Sequence, residues 1–243
     1  MPDLGQFLSV TLEGLLPTVA ATAGGIAIAA VLSVVFGLAM LARSRVVRVL
    51  ARIYVEVWRG TSEVVQLLWI FFVLPILVGY EMVPLVAGII VLGLNFGAYG
   101  AEIVRGAVQS VPRAQHEGCI ALNLTPAQRL RRVILPQALV EMVPPMNNLF
   151  IQLLKGSSLL TIIGVTEMTH QAHRVLIPRN IGQSAWIWLI VLLCYLVLSV
   201  LITLGMRWVE RRAAALVGRK PPERRSSFRG LAAGRMPVGT GTG

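Results

Sequence analysis

Long stretches without Asp, Glu, Lys or Arg set the pattern of this chain. Gly14 to Ala42 is one such run of 29 residues, Val64 to Tyr80 one of 17, Met82 to Ala101 one of 20 and Asn180 to Met206 one of 27. About 20 apolar residues span a hydrocarbon core, and each charge near its centre costs roughly 2.5 to 3.5 kcal/mol on insertion scales. The four runs therefore predict membrane-spanning helices, the second only just long enough. Met142 to Val165 is a fifth stretch, apolar except for Lys155 but interrupted by Pro144, Pro145, Asn147, Asn148 and Gly156. Helix-breaking residues facing lipid would leave backbone groups unpaired, so it reads as an irregular span lining a cavity or a protein interface. The expected fold is all-α and integral to a membrane, with five transmembrane helices.

Composition agrees with the pattern. The 243 residues are 56% hydrophobic and only 14% charged, against about 25% charged in a soluble domain. A typical water-soluble enzyme and a disordered chain are both excluded. The net charge of +11 would suit a nucleic-acid partner only if the bases formed one polar face. They do not. Arg43, Arg45, Arg48, Arg52 and Arg59 lie between the first two spans, Arg105, Arg113, Arg129, Arg131 and Arg132 between the third and fourth, and nine more follow the last. Nineteen of 22 bases thus fall on one side, which by the positive-inside rule places the N-terminus outside and the C-terminus in the cytoplasm. The first run is too long for a signal peptide and too far from the N-terminus, with its bases after it rather than before, so it is expected to remain as a membrane helix.

Three regions follow: an extracytoplasmic segment 1–13, a membrane domain 14–206, and a basic cytoplasmic tail 207–243. From Arg219 onward the tail is rich in Arg, Pro and Gly and reads as disordered, either a solvated orientation signal or a segment touching anionic lipid headgroups. Cys119 and Cys194 fall in a cytoplasmic segment and a span respectively, which predicts two small packing residues and no structural disulfide.

Glu102 to Pro136, "EIVRGAVQSVPRAQHEGCIALNLTPAQRLRRVILP", is long for a connection that only turns back. Gln115 to Leu122 is predicted to form a short helix. After Asn123, Thr125 is placed to N-cap a second helix with Pro126 at its first position. Ile120 and Leu124 are four apart, as are Leu130 and Ile134, so each half can turn an apolar face. Such an elbow is either a docking surface for a cytoplasmic partner or a lid on the spans.

These residues resemble the membrane subunit of an ATP-binding cassette importer, specifically the polar-amino-acid permease group. That family's cytoplasmic loop reads EAA, three residues, G, nine residues, then I, one residue and LP or a close variant; here Glu117-Gly118-Cys119 stands at the EAA, Asn123 at the glycine and Ile134-Leu135-Pro136 at the end. "YVEVWRGTSEVVQLLWIFFVLP" (54–75), "GAYGAEIVRGAVQSVP" (97–112) and "LLKGSSLLTIIGVTEMT" (153–169) are further matches in the same order, and the likeness covers roughly residues 14–206. Gly118 and Cys119 remain small, and Asn is the non-glycine residue best suited to a left-handed turn. Many relatives carry an acidic residue after the lysine of the fourth span, where this chain has Gly156.

The resemblance implies a MetI-like permease fold in a bacterial cytoplasmic (inner) membrane, with the loop 113–136 as a coupling helix seated on a separate ATPase. Glu117 would be the polar anchor of that joint, Gly118 and Cys119 its small residues, Ile120, Ala121, Leu122 and Leu124 its apolar contact and Asn123 its turn. Arg129, Arg131 and Arg132 would either pair with acids on the partner or form a solvated face. The chain has no G-x-x-x-x-G-K-[ST] phosphate loop, so it is not an enzyme by that route. ATP and magnesium are implied on two ATP-binding partner subunits. The remaining implied partners are a second permease subunit, a copy or a homologue, and an extracytoplasmic solute-binding protein.

For the permeation path, Asn147, Asn148, Gln152, Lys155 and Ser157 are unusually polar for a span, and intramembrane ionisable groups are functional candidates. Lys155 could meet a substrate carboxylate, snorkel to the interface or hold a partner helix. Asn95 and Tyr99, four apart on the third span, either face the same path or pack. Gly88, Gly93, Gly97 and Gly100 allow close approach between spans or subunits. Glu102 and Arg105 are spaced to pair. His170 and His173 share a helical face but lack the further ligands of a metal site. The solute expected is a polar amino acid or an amino-acid-like zwitterion, with compatible solutes such as ectoine and hydroxyectoine a subset left open by Gly156. The alternatives are an ion-coupled transporter, which would need acids within the spans where Val64 to Met206 holds them at the ends, and a membrane scaffold.

Overall fold

A computed structural model of the chain describes residues 4–216; the expected disordered tail from Arg219 lies outside them. Helices make up the fold, with no strand among the described residues. They are α1 (Leu4–Glu13), α2 (Leu15–Ala39) and α3 (Arg45–Gly60), α4 (Glu63–Val78), α5 (Pro84–Ser110) and α6 (Arg113–Ala121), then α7 (Pro126–Ile163), α8 (Met168–Arg179) and α9 (Ser184–Leu216). Three helices, α2, α5 and the last, are long and apolar enough to cross a membrane. The number rises to five if the bent pairs α3/α4 and α7/α8 each count as one span.

Helix α5 is the centre of the bundle. Of its most apolar 18-residue window 61% is buried, against 28% for α2 and 11% for the last helix, whose outward Leu and Val side chains suit lipid rather than water. Small residues set the close approach of α2 to α5: Gly93 and Gly97 face Ile28 and Leu32, and Gly100 faces Ser33. Gly88 likewise faces Leu160 of α7. The glycine stripe therefore packs this chain's own helices together.

The structure redraws the second and fourth spans. Helix α3 turns into α4 through 103°, across the extended residues Thr61 and Ser62. Glu63, just before the second apolar run, is the first residue of α4 and meets Gly156 of α7. In α7 the chain stays helical straight through Pro144 and Pro145, where irregularity was expected. An interior proline forfeits a backbone hydrogen bond and crowds the carbonyl one turn earlier, yet the helix continues across both residues. The break falls at Gly164, with φ 83°, beyond a 3-10 turn Ser157–Ile163.

Three prolines have a shared local consequence. Wide π-helical turns at Trp69–Val73, Leu130–Ile134 and Gln171–Leu176 each lie just before Pro75, Pro136 or Pro178. A proline ring clashes with the carbonyl one turn earlier, and widening that turn relieves the clash.

Helix also extends toward both ends of the described residues. The N-terminal segment forms α1, whose Phe7 is buried with Ala172, Leu176, Ile187 and Val191. Gly14 lets α1 pass into α2 against α8, since a Cβ there would come within 2.5 Å of the Glu167 carbonyl carbon and the Met168 nitrogen. The final helix continues past Met206 to Leu216.

Candidate functional site

The elbow between α6 and α7 is closed by its own backbone. Asn123 adopts φ 55°, the one positive φ of a non-glycine residue among those described. Leu124 N donates to Cys119 O at 3.0 Å and Asn123 N to Ile120 O at 2.8 Å, the pair of bonds that ends a helix on a left-handed residue. Thr125 then caps α7 reciprocally: its hydroxyl accepts from Gln128 N at 3.3 Å, while Gln128 Oε1 accepts from Thr125 N at 2.9 Å. Both helix ends are thus satisfied without a partner. Cys119 is buried and Leu124 half-buried, holding the elbow down. Glu117, Gly118, Ala121 and Asn123 are exposed. Ile120 and Leu122 are 59% and 75% exposed, an unusual placement for two large apolar residues beside a carboxylate.

The path candidates divide into an exposed and an internal set. Asn148, Gln152 and Lys155 are exposed on α7, and their spacing places them on one helical face. Asn147 is half-buried beside them, with its Oδ1 buried and unpaired. Tyr99 is exposed on α5 with the Arg59 guanidinium 5.2 Å from its ring centre. Ser157 is buried, its hydroxyl donating to Leu154 O at 2.7 Å.

Asn95 is buried too, and it holds the α3/α4 bend. Its Nδ2 donates to Trp58 O at 3.0 Å and to Gln66 Oε1 at 2.8 Å, and Gln66 Nε2 donates to Trp58 O at 2.8 Å and to Thr61 Oγ1 at 2.6 Å. Two side-chain amides thereby satisfy a carbonyl freed where α3 stops, as irregular backbone within a membrane requires. Glu102 accepts from Arg105 Nη2 at 2.6 Å, as its spacing predicted, and reaches Arg59 at 3.9 Å.

Two acids escaped the sequence reading. Glu167 is fully buried before α8; its carboxylate accepts from Thr169 N at 2.7 Å, His170 N at 2.8 Å and Tyr195 Oη at 3.0 Å, and also from the Thr161 hydroxyl. It caps α8 and ties α7, α8 and α9 together. Glu63 is different: its Oε1 is buried with no hydrogen-bond partner and abuts Gly156. A Cβ at Gly156 would stand 2.7 Å from that oxygen and 3.4 Å from Leu92 Cδ2 and Phe96 Cε2. Glu63 borders an apolar run, so only the bend reveals that it turns inward.

Comparison with known proteins agrees with this architecture. A probable amino-acid ABC transporter permease of Sinorhizobium fredii is 42% identical over 187 residues, covering 74% of this chain and 77% of that one. The glutamine transport system permease of Escherichia coli is 38% identical, covering 68% and 75%, and an L-cystine transport system permease of Bacillus subtilis 35%, covering 75% and 77%. A crystal structure of an amino acid ABC transporter with histidines aligns with TM-score 0.77 at 29% identity, over 86% of this chain and 97% of that chain. The MetNI methionine ABC transporter shares the fold, with TM-score 0.71 at 20% identity over 88% and 99%. Residues 29–215 match the family of binding-protein-dependent transport system inner membrane components. This chain belongs to that family, among the amino-acid ABC transporter permeases.

Proposed function

We propose that this chain is one of two permease subunits of an ATP-driven importer for a polar amino acid or an amino-acid-like zwitterion, crossing the inner membrane five times with its N-terminus outside. Zwitterionic compatible solutes such as ectoine and hydroxyectoine belong to the proposed class. The observation that carries the reading is the self-closed elbow presenting Glu117, Ile120 and Leu122 outward. In this reading the elbow seats on an ATP-binding subunit, one of two that hold ATP and magnesium. Nucleotide favours the arrangement in which those subunits close, and the elbows transmit that population shift to the spans. A rigid joint suits the role, because Asn123 and the Thr125 cap fix its shape before docking. The exposed face of Asn148, Gln152 and Lys155, with Tyr99 and Asn147, borders the path completed by the second permease subunit, and a solute-binding protein delivers the solute from outside.

Glu117→Lys tests the joint. Inserting a cation where a carboxylate anchors is expected to abolish ATP-driven uptake in proteoliposomes while the chain still reaches the membrane. Uptake at the wild-type rate would refute the anchor. Recovery of no ATP-binding subunit with the wild-type chain from native membranes would sink the importer reading as a whole.

A further inference from the structure

We propose that the Glu63 carboxylate, seated in the notch of Gly156, recognises the cationic group of the transported solute, an ammonium, amidinium or guanidinium. The assignment rests on the importer reading and deepens it, since it selects cationic and zwitterionic solutes over anions.

Several polar side chains of α4, α5 and α7 near this stretch have partners of their own. The side-chain amides of Gln66 and Asn95 are committed to Trp58, Thr61 and each other, and the Ser157 hydroxyl bonds Leu154 O. The ion pairs among the described residues involve Arg59, Glu102 and Arg105. Glu63 Oε1 is left buried and unpaired against Gly156, with Leu92 and Phe96 the next side chains nearest that glycine. A buried carboxylate oxygen without a partner is costly, and no salt bridge to Glu63 offsets it among the described residues. A cation arriving with the solute would supply the missing partner through a charge-assisted hydrogen bond.

The backbone has been shaped around this group. The 103° bend starts α4 at Glu63 and brings its side chain across to α7. At the crossing α7 has glycine, where any Cβ would stand 2.7 Å from the carboxylate oxygen. Lys155, exposed on the neighbouring face of α7 one residue before Gly156, is a separate positive charge and is not the partner of Glu63.

The test uses the complete complex, with second permease, ATP-binding subunits and binding protein, in proteoliposomes supplied with labelled arginine, glutamine or ectoine. Glu63→Gln is expected to lower kcat/KM roughly tenfold or more for the solutes the wild type carries, the range of a lost charge-assisted contact. If Glu63 meets the α-ammonium, arginine and glutamine uptake fall together; if it meets a side-chain cation, the arginine-to-glutamine ratio falls. Either result supports the proposal. Glu63→Asp keeps a carboxylate on the same helix and is expected to retain more uptake than Glu63→Gln. Unchanged kcat/KM for every probe in Glu63→Gln overturns the assignment, as does a Glu63→Asp complex that loses as much uptake as Glu63→Gln while both complexes assemble. A wild-type chain that recovers no ATP-binding subunit from native membranes overturns the importer reading beneath it.

Discussion

Asn123 shows how one residue sets the shape of a functional surface. Its φ of 55° lies where a Cβ meets the following carbonyl, a conflict that Asn tolerates better than other non-glycine residues and β-branched residues worst. Asn123→Gly is therefore expected to keep the elbow and its coupling. Asn123→Val should destabilise it by about 1 to 2 kcal/mol, the scale of the left-handed penalty. Thermal unfolding of the detergent-solubilised complex, with ATP-driven uptake, measures both effects; equal behaviour of the two variants would show that the turn does not depend on Asn123. This much was legible in the sequence, because turn and cap signals act over a few adjacent residues: Asn123, Thr125 and Pro126 all stand where their chemistry placed them. Glu63 was not legible, since an acid at the edge of an apolar run looks the same whether it faces the cytoplasm or an inner notch. That difference is made by Gly156, 93 positions away in the chain.

At the scale of elements, apolar runs located the helices but not their bends. The α3/α4 bend and the unbroken passage of α7 through Pro144 and Pro145 depend on which carbonyls find substitute donors, a property of contacts distant in sequence. Gln66 and Asn95 supply those donors at one bend. Glu167 does comparable work at the other, where α7 and α8 meet at 55°. A fully buried carboxylate with four donors is stable as a set and costly to break, because each orphaned donor keeps its desolvation penalty. Tyr195→Phe removes one donor and is expected to cost about 1 kcal/mol, whereas Glu167→Ala unpairs the whole set and should cost about 3 kcal/mol or more. The order of the two variants in thermal stability is the measurement. A Glu167→Ala chain as stable as Tyr195→Phe would mean that the acid does not hold α7, α8 and α9 together.

For the whole molecule, the proposed orientation rests on the basic residues, and the structure supplies sites at which to test it. Leu122 at the elbow is 75% exposed and Ile181 before α9 is 74% exposed. In the five-span arrangement they lie on opposite sides of the membrane, because α7 with α8 carries the chain across between them. Both native cysteines can be replaced first, Cys119 by Ala because it is buried and Cys194 by Ser. A single cysteine at Leu122 is then expected to react with a membrane-impermeant maleimide only in inverted vesicles or permeabilised cells, and one at Ile181 in intact spheroplasts. Reaction of both from the same side would mean that the bent pair α7/α8 enters and leaves by one face, reducing the number of crossings. The reverse pattern would invert the molecule, put the elbow outside, and remove any route by which ATP in the cytoplasm could act on Glu117. The same labelling, repeated with the ATP-binding subunits present, should protect Leu122→Cys and leave Ile181→Cys reactive, since docking at the elbow covers one side of the membrane alone.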